Sequence, residues 1–448
     1  MGLLKRGLGS TLVSQWDTLR GSYWFVPMLM AALGSGLALG LLELDARLSA
    51  AQIRSLPWIH ADGPEGTRAL LSTVAGSMIT VTGVVFSITI VALALASSQF
   101  GPRLLRNFLR DLGNQMVLGT FVATFLYSLL VLRAVAIDRV PHVSAAIALA
   151  LAVTSVFVLI YFIHHVASSI QASSIIASVA MEIDQALSNV FPEELGQRRS
   201  RDEAGPRLPA PSEEDGALVL APSSGYVRVV DGDELFELAV DRDLVIELVV
   251  KPGEFIAEGD RLARVAPASR VDEGMLQGVC ESIVIGTHRT AVQDLAFLTD
   301  QLVEMAVRAL SPGTNDPKTA VACVQRLGVV ISRISRREMP SSERCDETGA
   351  LRMVARGATF AGVVASCLDP IRRYAGDDAE VIESALLALA SALEQCPDSD
   401  RREVLMEHAR EWHGAFGGEP AKSKRDRARV DDALARVEDA VIERGGDS

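Results

Sequence analysis

No charged residue interrupts the thirty-one positions from Leu70 to Phe100, LLSTVAGSMITVTGVVFSITIVALALASSQF. At about 1.5 Å rise per residue, a helix of that length exceeds the roughly 30 Å hydrocarbon core of a bilayer. Catalytic signatures are missing too. The chain has no GxSxG elbow, no Walker phosphate loop and no HExxH zinc pair. The hydrolase, nucleotide-hydrolysing and metalloprotease chemistries built on those motifs therefore lack their residues. No carboxylate sits inside an apolar run where a proton relay would need one, which argues against a proton-driven transporter. Cysteine is scarce: Cys280, Cys323, Cys345, Cys367 and Cys396 are odd in number and form no CxxC pair. They read as reduced thiols, not as a disulfide framework or a zinc site. Basic residues are outnumbered, 43 against 56 acidic ones, for a net charge of −13. Phosphate recognition needs a basic face, so nucleic acid is not an expected partner.

What is present is unevenly spread. The chain is 49% hydrophobic with a mean hydropathy of +0.26, and the excess lies in the first third. Residues 1–171 carry eleven Lys+Arg against seven Asp+Glu, and the later residues 32 against 49. A weakly basic membrane part thus precedes an acidic part of about 280 residues, long enough for two domains with cores of their own.

Four apolar runs predict four spans: Tyr23 to Leu42, Leu70 to Phe100, Met116 to Leu132 and Val143 to Ile163. Tyr23 and Trp24 suit the headgroup level. The second run ends at Gly101-Pro102, where a helix cannot continue cleanly. RLLRNFLRDLGNQ follows, with Arg103, Arg106 and Arg110 on one side and Leu104, Leu105, Phe108 and Leu109 on the other. That pattern predicts a short basic helix lying along the membrane surface. Lys5, Arg6 and Arg20 before the first span agree with it, placing both termini in the cytoplasm of an inner-membrane protein; Arg133 and Arg139 after the third span oppose this mildly.

The second run carries a repeat. Thr73, Gly76, Ser77, Thr80, Gly83, Ser87 and Ala94 fall along one narrow stripe, because seven residues are close to two helical turns. The far side is expected to carry Ile79, Val81, Phe86, Ile88, Ile90, Leu93 and Leu95. A small, hydroxylic stripe inside a membrane either lets another helix approach or lines something wet.

The fourth helix is expected to continue to Phe191, so a transmembrane domain covers residues 1–191. A linker rich in Pro, Gly and charge follows at 192–216. A small β domain is expected at 217–268 and a helical domain at 269–448. Within the β domain, APSSGYV and KPGEFIAEGDRLARV resemble the two halves of a barrel-sandwich hybrid, the fold of lipoyl and biotinyl carriers. A carrier needs a modifiable lysine at the hairpin that follows, and APASRVDEG has none. The helical domain is expected to break near Asp369-Pro370, Cys396-Pro397 and Gly417-Gly418. The fold class is therefore a four-span α-helical membrane domain plus a cytoplasmic α+β part, with a barrel-sandwich-like β domain and a helical C-terminal domain.

The densest polar motif is RALSPGTNDPKTA. Asn315 or Asp316 caps a helix that opens on Pro317, while Pro312-Gly313 ends the helix before it. The functional alternative is a ligand loop of Arg308, Ser311, Asn315 and Asp316. His164 and His165 close the fourth span as an interfacial anchor or a pH sensor. His288, His408 and His413 show no partners at ligand spacing.

VALALASSQFGPRLLRNF after the second span, APSSGYV in the strand region and RALSPGTNDPKTA together resemble the bacterial predicted-membrane-protein family called domain of unknown function 2254. RALSPGTNDP is the most specific piece, with Lys318 standing where the family has an aromatic. The resemblance implies four spans, a cytoplasmic C-terminal part and an inner-membrane address, and supplies no catalytic residues. No enzyme activity, metal or cofactor is expected. The expected partners are the lipid bilayer, further copies of the chain and a cytoplasmic protein. Two functions fit: an oligomeric channel-like protein whose second helix lines the conduit, with cytoplasmic regulatory domains, or a membrane-tethered scaffold or sensor that binds a protein or small ligand through those domains.

Overall fold

The computed structural model describes residues 22–48, 63–101, 111–137, 140–190, 215–290, 293–337, 339, 341–355, 357–416 and 423–445. The chain divides into two compact units, Met1–Ser174 and Ile175–Ser448.

The first unit holds four helices long and apolar enough to cross a membrane: α1 (Phe25–Arg47), α2 (Pro64–Phe100), α3 (Leu112–Ala134) and α4 (His142–Ser169). Their outer surface is greasy, with Leu33, Phe157 and Ile160 exposed, as hydrocarbon requires. Helix α3 is the hub. It packs against α1, α2 and α4, and it is the most buried of the four. Glycine sets its distance from α1. A Cβ on Gly34 would lie 3.0 Å from the Ala123 carbonyl oxygen, and one on Gly119 would lie 2.5 Å from Met30 Sδ. Small residues of this kind let membrane helices approach closely. Carboxylates close two helix ends. Asp45 of α1 accepts from Val143 N (3.1 Å) and Ser144 N (2.9 Å) at the start of α4. Asp111 caps α3 through Gly113 N at 2.7 Å.

The fourth apolar helix does not run on to Phe191. It stops at Ser169, and a separate helix, α5 (Ala172–Val190), begins after Ile170 and Gln171. The sequence between them has no glycine or proline to announce a break.

The second unit begins with strands. The five-stranded sheet runs β1 (Ala217–Leu220), β5 (Arg261–Ala266), β3 (Val245–Leu248), β8 (Leu351–Ala355), β7 (Glu343–Cys345). The three-stranded sheet runs β4 (Phe255–Ile256), β2 (Gly225–Val230), β6 (Ile283–Gly286). All pairs are antiparallel except β3 with β8. Helices α6 (Gly232–Asp241) and α7 (Glu273–Glu281) close one core with both sheets, built on Val227, Leu235, Ile246, Leu262, Val279 and Met353. The turns sit where expected, with Gly253 at φ 88° and Gly259 at φ 87°.

One expectation gains no support and another is corrected. Among the described residues the strands form two open sheets and no closed barrel, which leaves the barrel-sandwich likeness unconfirmed. The chain is also not purely helical after Asp272, because β6, β7 and β8 come from that region and complete the sheets. Short apolar runs such as LRMVA carry no period that separates a buried strand from a piece of helix.

The remaining helices are α8 (Leu295–Ala309), α9 (Pro317–Arg336), α10 (Phe360–Ala375), α11 (Ala379–Gln395), α12 (Ser399–Ala415) and α13 (Lys424–Gly445). The break expected at Asp369-Pro370 is absent. Helix α10 continues through Pro370 and ends at Gly376, whose φ of 56° suits glycine. The break at Cys396-Pro397 is present between α11 and α12.

Arg352 ties β8 down. It is buried to 8% exposure and holds Asp346 at 2.7 Å and Asp243 at 2.6 Å. Desolvation by burial raises the Asp346 pKa, but hydrogen bonds from Thr348, Arg352 and Ala350 outweigh it and bring the carboxyl from 3.8 to about 2. A depressed pKa contributes stability that is complete above the unfolded value and lost as pH falls toward the folded one.

Two measurements follow from this packing. Asp346→Ala should cost about 2 kcal/mol in chemical unfolding at pH 7, with the deficit shrinking as pH drops from 4 toward 2. A pH-independent deficit would contradict the pairing. In detergent, Gly34→Leu should cost about 2 kcal/mol by overpacking against α3. Gly76→Leu, where a Cβ meets nothing within 4 Å, should leave the melting of the isolated chain unchanged.

Candidate functional site

Helix α2 has 37 residues, so it is about 55 Å long and outreaches the hydrocarbon core at one end or both. Its in-chain packing face is Thr67, Leu71, Val74, Met78, Val85, Thr89, Ala92 and Ala96, all buried. Thr73, Gly76, Ser77, Thr80, Gly83, Ser87 and Ala94 are all exposed, on the side turned away from α3 and α4. A Cβ on Gly76 or Gly83 would meet no atom within 4 Å. Thr73 and Thr80 donate to the Ala69 and Gly76 carbonyls of their own helix, at 2.8 and 2.9 Å.

The expected apolar far side needs correction. Ile79, Phe86, Ile88, Ile90 and Leu95 are exposed, and they flank the small-residue seam instead of opposing it. A rotation of about 100° per residue puts Val85 and Thr89, not Phe86 and Ile90, across from Gly76 and Gly83.

Buried polarity concentrates on α3, which the sequence reading missed. Asn114, Gln115, Thr124 and Ser128 are each at most 1% exposed. Thr124 and Ser155 of α4 share a hydrogen bond at 3.3 Å, and Tyr127 donates to the Ser144 carbonyl at 2.9 Å. The signal was the Asn-Gln pair just before the apolar run. Helix α3 starts four residues ahead of the span expected from Met116, and it draws that pair into the bundle. At the same end, His165 Nε2 lies 2.6 Å from Asp111, and its ring stacks on Tyr161 with centroids 5.3 Å apart. His165 therefore joins the end of α4 to the start of α3. Arg103, Arg106 and Arg110 lie outside the described residues.

The RALSPGTNDP loop connects α8 to α9, and its contacts are local. Arg308 pairs with Glu304 at 3.1 Å, and Ser311 Oγ donates to the Arg308 carbonyl at 2.6 Å. Asn315 takes the left-handed conformation (φ 46°), which its short side chain tolerates. Asp316 caps α9, accepting from Thr319 N at 3.2 Å and Thr319 Oγ1 at 2.6 Å. Ser311 thus closes the end of α8 and Asp316 the start of α9, while Arg308 pairs along its own helix.

Helices α9 and α11 run in the same direction. Lys318 pairs with Glu380, Gly328 meets Ala388, and Cys396 Sγ reaches the Ser335 carbonyl at 3.8 Å. A groove of about 540 Å³ lies along their seam, with Arg333 and Arg336 at one end and Glu380 at the other. Periodicity does not announce a groove, because it reports which face is apolar and not what volume two faces leave between them.

His408 does have partners, contributed by residues distant in sequence and by its own helix. Its Nδ1 is 3.5 Å from Asp369 and 3.9 Å from Glu411, and ligand atoms of the three lie within 4.8 Å of one another. Arg372 already stands among them, 2.9 Å from Glu411 and 3.4 Å from Asp369. Its guanidinium takes the place a metal cation would fill, so the set reads as an ion-pair network. His413 pairs with Asp431 at 2.9 Å.

Four apolar helices with an outward small-residue seam, joined to a mixed α/β unit, define a class of membrane protein. Residues 20–391 match the family described as predicted membrane protein (DUF2254), and this chain belongs to that family. Its relatives include an uncharacterised protein of Mycobacterium bovis and one of Mycobacterium tuberculosis. Each is 36% identical over 445 residues, covering 96% of this chain and 82% of the relative. No solved structure matches the chain.

The capping account of the loop makes a prediction. Asp316→Ala should cost about 1 kcal/mol in unfolding, and Asp316→Asn a few tenths, because Asn also caps. Equal and larger losses for both would point instead to a role for the carboxylate charge.

Proposed function

We propose that this protein is a non-enzymatic, homo-oligomeric channel-like protein of the bacterial inner membrane, with both termini and the α/β unit in the cytoplasm. Copies meet along the α2 seam. The observation that carries this reading is the exposure of all seven seam residues on the single chain, with open space around Gly76 and Gly83. Acyl tails accommodate large apolar side chains as readily as protein does, so small residues concentrate where helix backbones approach. Ile79, Phe86 and Ile88, beside the seam, suit lipid. In a ring of copies Thr80 and Ser87 line the conduit, and Val91, Ala94 and Leu95 form its dry neck. The basic stretch from Arg103 to Arg110 suits the anionic cytoplasmic leaflet.

A second reading, a membrane-tethered scaffold or sensor, draws on a specific observation. The Thr73 and Thr80 donors are spent on their own helix, as in a packed contact. That reading keeps the oligomeric seam, gives up the conduit, and assigns the α/β unit to a protein or small-ligand partner.

Crosslinking tests the seam. In a background with Cys280 and Cys345 replaced by Ser, Ser77→Cys and Ser87→Cys should form disulfide dimers in native membranes, while Ile79→Cys and Phe86→Cys should not. The reverse pattern would overturn the assembly. Planar-bilayer recording separates the two readings. Thr80→Val with Ser87→Ala should change unitary conductance, and a wild-type protein silent under voltage and tension leaves only the scaffold.

A further inference from the structure

We infer that the groove between α9 and α11 binds a small organic anion, its acidic group against Arg333 and Arg336 and its body over the Gly328–Ala388 floor. The volume of about 540 Å³ is that of a small-molecule site. Small residues make the floor. A Cβ on Gly328 would lie 2.5 Å from that of Ala388, so the backbones approach closely there, and longer side chains stand up as walls. Ser384 lines the groove at 8% exposure, and its Oγ has no hydrogen-bond partner. A buried hydroxyl left unpaired is costly, and a ligand acceptor or donor in the groove would satisfy it.

The charges are arranged asymmetrically. At the start of the two helices both acids are neutralised, Glu380 by Lys318 and Glu383 by Arg429. At the far end Arg333 shares Asp184 of α5, and Arg336 has no hydrogen-bonding or ionic partner among the described residues. Helix-end capping does not account for Arg336. Cations do collect at helix C-termini, but Arg401 already donates to carbonyls in the last turn of α9, Ile334 O at 3.5 Å and Ser335 O at 3.2 Å, and to Arg337 O just beyond it at 2.6 Å. Arg336 is a cation in excess of what α9 needs, at the mouth of a groove whose middle is apolar. A carboxylate or phosphate carried on an apolar body matches that layout, with the guanidinium fork taking the anion. Such an anion competes with Asp184 for Arg333, so occupancy is communicated to the helix that follows the fourth apolar helix in the chain. The inference is independent of whether copies of the protein conduct.

The test uses the full chain in phosphatidylcholine nanodiscs, with phenyl phosphate and phenylacetate as anionic probes and phenethylammonium as a cation of like size. Saturation-transfer NMR and titration calorimetry should show both anions binding and the cation failing to bind. Arg336→Gln should weaken the anions about tenfold, the loss of one charged hydrogen-bonding contact. Val329→Trp, which adds bulk to the groove wall from a half-exposed position, should abolish binding. Unchanged thermal melting would confirm that both variants fold. Equal binding of the cation, no binding of any probe, or anion affinity indifferent to both substitutions would overturn the site.

Discussion

Helix α2 has one face packed against its own chain and another left open. The inner face is filled by Leu71, Val74, Met78 and Val85, and the outer face carries glycine and hydroxyls. Hydrocarbon gives no reward for small residues, because acyl tails fill space next to leucine as well as next to glycine. The chain shows what glycine does when it is used: Gly34 and Gly119 bring α1 against α3 with almost no clearance. Gly76 and Gly83 have the same chemistry and no neighbour within the chain, and the proposed assembly would supply one from a second copy.

The first unit also has to hide its polar groups from lipid, and α3 is where it does so. Thr124, Tyr127, Asn114 and Gln115 turn inward, while Asp45, Asp111 and His165 close the helix ends. With the interior occupied by that packing, the face of α2 left open is the outer one. The second unit follows a different logic. Its sheets and helices fold around aliphatic cores, with Arg352 paired to Asp346 and Arg289 to Asp294. Arg336 is one of several arginines without a partner among the described residues, and it lines the α9–α11 groove.

Much of this was legible from residue order. Unbroken apolar length announced all four membrane helices, glycine marked the turns at Gly253 and Gly259, and the Asn-Asp-Pro run announced the cap at Asp316. What stayed hidden depends on contacts between distant segments. Strand β8 is recognisable only beside β3, about a hundred residues away in the chain. The partners of His408 come in part from another helix. The seven stripe residues are all exposed, and the side across the helix from them is not the one expected. Phe86 and Ile90 are large and apolar, and only the rotation of the helix shows that they flank the stripe. Pro370, usually a helix breaker, is carried inside α10.

The most direct test of the central claim is electron cryomicroscopy of the full chain in lipid nanodiscs. The account predicts an assembly of several copies in which α2 helices of neighbouring subunits meet at Gly76 and Gly83. A single chain, or an oligomer joined elsewhere with that seam against lipid, would contradict it.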